Sequence, residues 1–119
     1  MQISAVLITH NEEDHVEAAL RSLEGVADEI VVVDSHSADR TVRIARKYTN
    51  RVIERTWTNY ADQKNFADAQ ARHLWILSLD ADERLSPELR DEILALKGTA
   101  PDCPAFSMPR RVFYLGRGI

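Results

Sequence analysis

The sequence has a single cysteine, Cys103, among its 119 residues. One cysteine cannot form an internal disulfide, which favours a reducing compartment. No apolar run approaches the roughly 18 residues that a membrane span requires, and the first residues lack the basic segment that opens a signal peptide. The expected location is therefore the cytoplasm. Parts of the protein outside this sequence could still hold it peripherally at the inner face of the cytoplasmic membrane.

Basic residues are fewer than acidic ones, with 15 Lys and Arg against 19 Asp and Glu and a net charge of −4. A protein that binds nucleic acid normally carries a basic stripe, so we expect no nucleic-acid partner. The hydrophobic fraction of 45% is ordinary for a globular protein and excludes a largely disordered chain. A length of 119 residues predicts one domain.

Glycine is also scarce, and none of the four glycines precedes Gly25. The first predicted strand is followed by Thr9, His10, Asn11 and Glu12, where a dinucleotide or P-loop site would have a glycine-rich turn. The sequence therefore argues against a dinucleotide or P-loop site. Any bound phosphate would need another source of positive charge, and a metal ion held by carboxylates would supply it.

Apolar runs alternate with segments of helical periodicity along the chain. Strands are predicted at 3–9, 30–33, 51–54 and 74–79, with a final strand or hairpin at 105–115 after a linker at 99–104. Four helices are predicted to start at Asn11, Ser37, Asn59 and Ser86-Pro87 and to end near Gly25, Tyr48, Arg72 and Gly98. This order predicts a three-layer α/β/α, Rossmann-like domain with a mostly parallel sheet.

The apolar run Trp75 to Leu79 ends abruptly in Asp80, Ala81, Asp82 and Glu83. Ligands of open α/β sheets bind just beyond the carboxyl ends of the strands. Asp80 and Asp82 offer hard oxygen ligands suited to Mg²⁺ or Mn²⁺ beside a diphosphate. The alternative is that these residues only cap the loop before the next helix. Asp34 ends the second strand in a similar way, and it could instead start a turn through an Asx-type hydrogen bond.

Several motifs occur in order along the chain: Thr9 to Glu12, Val31 to Ser35, Gln63 to Phe66, Leu79 to Glu83, Pro109 to Arg111 and Leu115 to Arg117. Together they resemble family 2 inverting glycosyltransferases of the GT-A fold, in particular bacterial lipopolysaccharide core glucosyltransferases. The resemblance covers essentially the whole chain. It implies a metal-dependent enzyme that transfers a sugar, with glucose expected, from a UDP-sugar to a glycolipid or saccharide acceptor of the cell envelope.

The resemblance also implies roles for individual residues. Asp34 would accept a hydrogen bond from the uracil ring, and Thr9, Asn11 and Glu12 would help to hold the nucleoside. Asp80 would contact the ribose or sugar side of the donor, and Lys64 would approach the donor. Asp82, with Asp80 second to it, would ligate the Mg²⁺ or Mn²⁺ that bridges the phosphates.

Two departures from the family are visible. The family often has glycine where this chain has His36 and threonine where it has Ala38. Family members are also usually more than twice as long, and their second half carries the acceptor site and the general base that an inverting displacement needs. The last carboxylate here is Asp102. We therefore expect residues 1–119 to be the nucleotide-sugar-binding half, with the acceptor half missing and the catalytic base unknown.

Three other functions remain open from the sequence. The chain could be a stand-alone nucleotide-diphosphate-binding module without turnover. It could be another metal-dependent phosphate-handling enzyme that uses Asp34, Asp80 and Asp82, or a structural fragment with no ligand. An unfinished final strand could also pair with a second copy, so a homodimer through residues 105–115 is a further hypothesis.

Overall fold

The computed structural model describes residues 2–99 and 111–114, and their elements alternate between strand and helix. In chain order they are β1 Ile3–Thr9, α1 Val16–Ser22, β2 Glu29–Asp34, α2 Thr41–Ala45, β3 Arg51–Glu54, α3 Tyr60–Ala69, β4 Trp75–Asp80, α4 Pro87–Thr99 and β5 Arg111–Tyr114. The strands form one sheet in the order β3-β2-β1-β4-β5, and every neighbouring pair is parallel. The predicted Rossmann-like α/β fold is confirmed.

The central strand β1 is buried along all seven of its residues, and its side chains alternate between two apolar clusters. Leu7 and its neighbours on one face pack with residues of α1, α2 and α4, such as Leu20 and Ile93. Val6 on the other face packs with Ala67 of α3. A strand buried on both faces is apolar throughout rather than alternating, which is why the sequence signal of β1 is so clear.

Two of the four predicted helix caps are wrong. The helix α1 begins at Val16 and α2 at Thr41, and neither has a side-chain cap. Asn11 instead accepts a hydrogen bond at Oδ1 from the backbone N–H of Ala38 (2.8 Å), and Ser37 donates its hydroxyl to Asp34 (2.6 Å). Both side chains have partners in loops, which compete with capping.

The other two caps are confirmed. Asn59 accepts from the backbone N–H of Asp62 at 2.8 Å, and Ser86 accepts from that of Leu89 at 3.1 Å. The predicted ends of these helices differ from the structure, since α3 stops at Ala69 and α4 continues to Thr99. The predicted linker beyond residue 99 lies outside the described residues, as do residues 105–110 and 115 of the predicted last strand.

Glu29 joins several elements at the amino ends of the strands. It accepts hydrogen bonds from the hydroxyl of Ser4 (2.7 Å), the backbone N–H of Arg72 (2.9 Å) and the guanidinium of Arg51 (2.9 Å). Burial by itself raises the pKa of the Glu29 carboxyl, but these hydrogen bonds outweigh burial and hold the pKa below its ordinary value.

Asp28 likewise joins α4 to the start of β1. Its Oδ2 accepts from the Lys97 ammonium at 2.6 Å and from the backbone N–H of Ile3 at 2.8 Å. Desolvation raises the pKa of this carboxyl, and the hydrogen bonds from Lys97 and Ile3 lower it further than desolvation raises it. None of the described helices is both long and apolar enough to cross a membrane.

Candidate functional site

Three adjacent strands bring the predicted site residues to one edge of the sheet. Thr9 ends β1 and lies in register with Asp34 at the end of β2. On the other side of β1, Ile8 is in register with Asp80 at the end of β4. The carboxyl edge of the sheet therefore carries Asp34 and Asp80 on strands that flank β1, as the parallel topology requires.

Asp34 lies beneath this edge with 0% of its surface exposed. Its Oδ1 accepts from the hydroxyls of Thr9 and Ser37, both at 2.6 Å, and its Oδ2 accepts from the backbone N–H of Ser37 at 2.8 Å. A carboxylate has about four acceptor sites, so these bonds use most of its capacity. Asp34 makes the local turn hydrogen bond, and its role toward a nucleoside stays a prediction.

The loops that follow β1 and β2 are tied to each other. Besides the bond from Ala38, Asn11 donates its backbone N–H to the Ser37 hydroxyl at 2.8 Å. Glu12 donates its backbone N–H to the hydroxyl of Thr41 at 2.7 Å. We call residues 10–12 and 35–38 the paired loops. Sequence analysis missed Ser37 and Thr41 in these roles because their partners lie more than 25 residues away.

Both paired loops contain a residue in the left-handed region, Asn11 with φ 51° and His36 with φ 48°. A positive φ is uncommon for residues other than glycine, and such conformations cluster at functional sites. The family often has glycine at the position of His36, and the backbone here adopts the conformation that glycine favours. His36 therefore occupies a backbone position that glycine would adopt without strain.

Residues 80–83, which we call the acidic turn, fold back on themselves after β4. Glu83 donates its backbone N–H to the carbonyl of Asp80 and accepts the N–H of Asp80 on Oε1, both at 2.9 Å. Glu83 thus holds the turn. The side chain of Asp82 at its tip is exposed, so the turn presents this carboxylate to solvent.

The side chain of Asp80 is held from α3. The hydroxyl of Tyr60 donates to its Oδ1 at 3.0 Å, and the Lys64 ammonium lies 3.6 Å from the same oxygen. Lys64 also donates to the hydroxyl of Ser78 and is only 9% exposed. The structure therefore buries Lys64 beside Asp80. Tyr60 was missed by sequence analysis, although its spacing of four residues from Lys64 places both on one helix face.

A cavity of about 230 Å³ opens above the ends of β1 and β4. Its lining includes Thr9, His10, Glu12, Trp57, Tyr60, Asp80 and Asp82. Of the predicted site residues, Asn11, Asp34 and Lys64 do not line this cavity. A larger cavity of about 940 Å³ lies between α1 and the start of α4. We assign the site to the smaller one because it holds the ends of two strands and both aspartates of the acidic turn.

The donors at this cavity fit one mode of metal binding. Within residues 2–99 and 111–114, no group of three or more His, Cys, Asp or Glu side chains is arranged to hold a metal. Mg²⁺ in phosphate-handling sites is commonly bound by one or two carboxylates together with substrate phosphates and water. Asp82 and Asp80 could supply those carboxylates, and a diphosphate would complete the shell.

The parallel sheet with its alternating helices is an α/β domain of the GT-A type. A sequence profile described as "Glycosyl transferase family 2" matches residues 4–113. The chain belongs to this family.

Two curated relatives show how the chain compares in length. An uncharacterized glycosyltransferase of Rickettsia bellii is 48% identical over 92 residues, which cover 77% of this chain and 31% of the relative. The lipopolysaccharide core biosynthesis glycosyltransferase LpsC of Rhizobium meliloti is 35% identical over 123 residues, covering 99% of this chain and 45% of LpsC. The chain thus spans less than half the length of either relative.

Solved structures share the fold. TarS of Staphylococcus aureus, residues 1–349, superposes with a TM-score of 0.66 at 27% identity, over 82% of this chain and 33% of TarS. The same protein in complex with UDP gives a TM-score of 0.62. Glucosyl-3-phosphoglycerate synthase of Mycobacterium tuberculosis, solved with Mn²⁺, UDP and glucosyl-3-phosphoglycerate, gives 0.55 at 22% identity, over 70% of this chain and 35% of the synthase. At that identity the likeness concerns the fold alone.

Proposed function

We propose that residues 1–119 are the nucleotide-sugar-binding half of a metal-dependent family 2 glycosyltransferase. The donor is a UDP-sugar, with glucose the expected sugar, and the acceptor is a lipopolysaccharide or other cell-envelope saccharide. The sugar is transferred with inversion. The observation that carries the proposal is the acidic turn, whose Asp80 and Asp82 line a cavity between the ends of β1 and β4.

The relatives support the choice of donor and acceptor. TarS has been solved with UDP, and LpsC is described as a lipopolysaccharide core enzyme. Since acceptors of this kind are membrane components, the whole protein would work at the cytoplasmic face of the membrane.

Each predicted residue has a place in this proposal. Asp82 is the principal metal ligand because it is exposed at the tip of the turn. Asp80 receives the ribose or sugar hydroxyls and is the second metal ligand. A bound Mg²⁺ or Mn²⁺ would neutralise charge that develops on the departing diphosphate.

The other predicted residues act on the nucleoside and on Asp80. Thr9 and Glu12 line the cavity, whereas Asn11 ties the paired loops. Asp34 would accept a hydrogen bond from a uracil ring after one of its two hydrogen bonds from Ser37 is broken. Lys64 acts through Asp80 rather than at the cavity surface. The general base would come from the part of the protein that this chain does not span.

The testing experiment is a calorimetric titration of UDP into the chain, with and without Mn²⁺. We expect Mn²⁺-dependent binding that Asp82→Ala weakens by about a hundredfold or more, as expected for loss of the principal protein ligand. Asp91→Ala is the matched control, since it removes an exposed aspartate of α4 and should leave binding unchanged. Metal-independent binding, or equal binding by both variants, would contradict the proposed metal site.

Further outcomes separate the alternatives. UDP affinity without sugar transfer or donor hydrolysis in the whole protein would favour a binding module. Turnover of a nucleoside triphosphate would favour another phosphate-handling enzyme. A folded chain that binds no nucleotide would favour a structural fragment.

A further inference from the structure

Tyr60 combines two properties that are unusual together. It is 50% exposed and lines the cavity above β1 and β4, yet its hydroxyl is bonded at 3.0 Å to Oδ1 of Asp80. A surface tyrosine has no general need for a carboxylate partner, because water can satisfy its hydroxyl. Here the hydroxyl is committed to a carboxylate of the candidate site.

The backbone at Tyr60 is well anchored. It is the first residue of α3, directly after the Asn59 cap. The preceding loop is tied to the same helix by Arg55, which donates to Asp62 at 2.9 Å and to Gln63 at 2.8 Å. The start of α3 is thus tied to Arg55, the residue that follows β3, and this anchors the backbone from which the tyrosine side chain extends.

Tyr60 and Lys64 approach Asp80 from the same helix face. The ammonium of Lys64 lies 5.9 Å from the centroid of the Tyr60 ring and 3.6 Å from Oδ1 of Asp80. One hydrogen bond and one ion pair on the same carboxylate oxygen restrain the rotation of the carboxylate, and this is the kind of support that keeps a binding residue in its productive geometry.

We propose that Tyr60 is a positioning residue, whose hydroxyl holds the Asp80 carboxylate in the orientation that receives the hydroxyl groups of the nucleotide sugar. This inference rests on the proposed function. It assigns to Tyr60 no direct part in chemistry, because its effect passes through Asp80.

The test uses Tyr60→Phe, which removes the hydroxyl and keeps the ring. We expect the affinity for UDP in the presence of Mn²⁺ to fall about tenfold, in line with the loss of a hydrogen bond to a charged group. The matched control is Tyr48→Phe. Tyr48, which follows α2, donates to Glu17 of α1 at 3.0 Å, so this variant loses a similar bond away from the cavity and should keep full affinity.

A double-mutant cycle with Asp80→Ala tests whether Tyr60 acts through Asp80. With Asp80 truncated, we expect Tyr60→Phe to change the affinity by less than about twofold. Equal tenfold losses in both backgrounds, or unchanged binding by Tyr60→Phe alone, would overturn the proposal.

A spectroscopic measurement keeps the test decisive where Asp80→Ala is unfolded or binds too weakly. The ¹³C resonance of the Asp80 carboxyl, measured without ligand, should move in Tyr60→Phe and stay in place in Tyr48→Phe. An unmoved resonance in Tyr60→Phe would reject the positioning role. If the wild-type chain binds no UDP while the resonance does move, the proposed function fails and the tyrosine is a structural support alone.

Discussion

The two ends of the sheet both carry carboxylates, and the structure treats them differently. At the amino ends, Asp28 and Glu29 are bonded to the cationic groups of Lys97 and Arg51. At the carboxyl ends, Asp34 takes its hydrogen bonds from neutral hydroxyl and amide groups, and Asp82 is exposed. Both amino-end carboxylates are hydrogen-bonded to a cation, whereas at the carboxyl end Asp34 has neutral donors and Asp80 lies 3.6 Å from the Lys64 ammonium. The exposed carboxylate of Asp82, which lines the cavity, is where a metal ion would be attracted.

The largest expected effect comes from Asp34→Ala. The substitution leaves the buried hydroxyl of Thr9 and the partly buried hydroxyl and backbone N–H of Ser37 without their acceptor. Unsatisfied buried donors cost about 1–3 kcal/mol each where no water reaches them, and partial repacking reduces the sum. We expect the free energy of unfolding to fall by about 3 kcal/mol, measured by urea denaturation.

The comparison for this measurement is Asp82→Ala at the same edge of the sheet. Because Asp82 is exposed, its removal should change the urea midpoint far less than Asp34→Ala does, while it weakens metal-dependent binding by about a hundredfold or more. A midpoint that falls as far as in Asp34→Ala would mean that the acidic turn is a structural cap.

At the amino end, Glu29→Ala should lower the free energy of unfolding by about 2 kcal/mol. Glu29 ties Ser4 of β1 to Arg51 of β3 and to the loop before β4, so truncation leaves several donors without a partner. Glu24→Ala, at an exposed carboxylate, is the control in the same urea experiment. We expect folded Glu29→Ala to bind nucleotide as tightly as the wild type does. A loss of nucleotide affinity in the folded variant would show that the amino and carboxyl ends of the sheet depend on each other.

Acidification should have a smaller effect than truncation, because a protonated Glu29 still fills its place. The folded pKa values of Asp28 and Glu29 lie below their ordinary values of 3.8 and 4.5. Their contribution to stability is therefore full above about pH 5 and is lost as the pH falls through the folded values. Urea midpoints between pH 7 and pH 3 should decline, and Glu29→Gln should flatten the decline. An equally steep decline in Glu29→Gln would exclude Glu29 as a source.

The strands could be predicted from the sequence because their burial leaves a local signal. Five of the seven residues of β1 are apolar and they lie on both faces of the sheet, and the predicted bounds Ile3 and Thr9 match the structure. The cap at Asn59 was predictable because its partner, Asp62, is three residues away. The cap assigned to Asn11 failed because its partner, Ala38, is brought close by the adjacency of β1 and β2, which no local pattern reveals. The cap assigned to Ser37 failed because its hydroxyl is bonded instead to Asp34, three residues before it.

In the candidate site, too, the features with a local sequence signal could be predicted and those that depend on distant partners could not. Asp80 and Asp82 follow an apolar strand, and this local feature placed them at the carboxyl edge. The contact between Tyr60 and Asp80 spans 20 residues and requires α3 to lie on the opposite face from α1. The burial of Asp34 likewise depends on Thr9 across the β1–β2 pair. Local patterns therefore predict which strand ends carry chemistry, whereas the tertiary fold decides which side chains support them.

The smallest expected effect tests the strained backbone of the paired loops. The control is Glu92, an exposed residue within α4. Glycine in a helix costs about 1 kcal/mol of stability relative to alanine, so Glu92→Gly should be less stable than Glu92→Ala by that amount. At His36, φ is 48°, and both substitutions lose the same imidazole contacts. Because alanine carries the left-handed penalty and glycine does not, His36→Gly should be more stable than His36→Ala by about 1 kcal/mol. Urea denaturation of the four variants measures both differences. The same sign at both positions would mean that the turn after β2 does not hold His36 in the left-handed region.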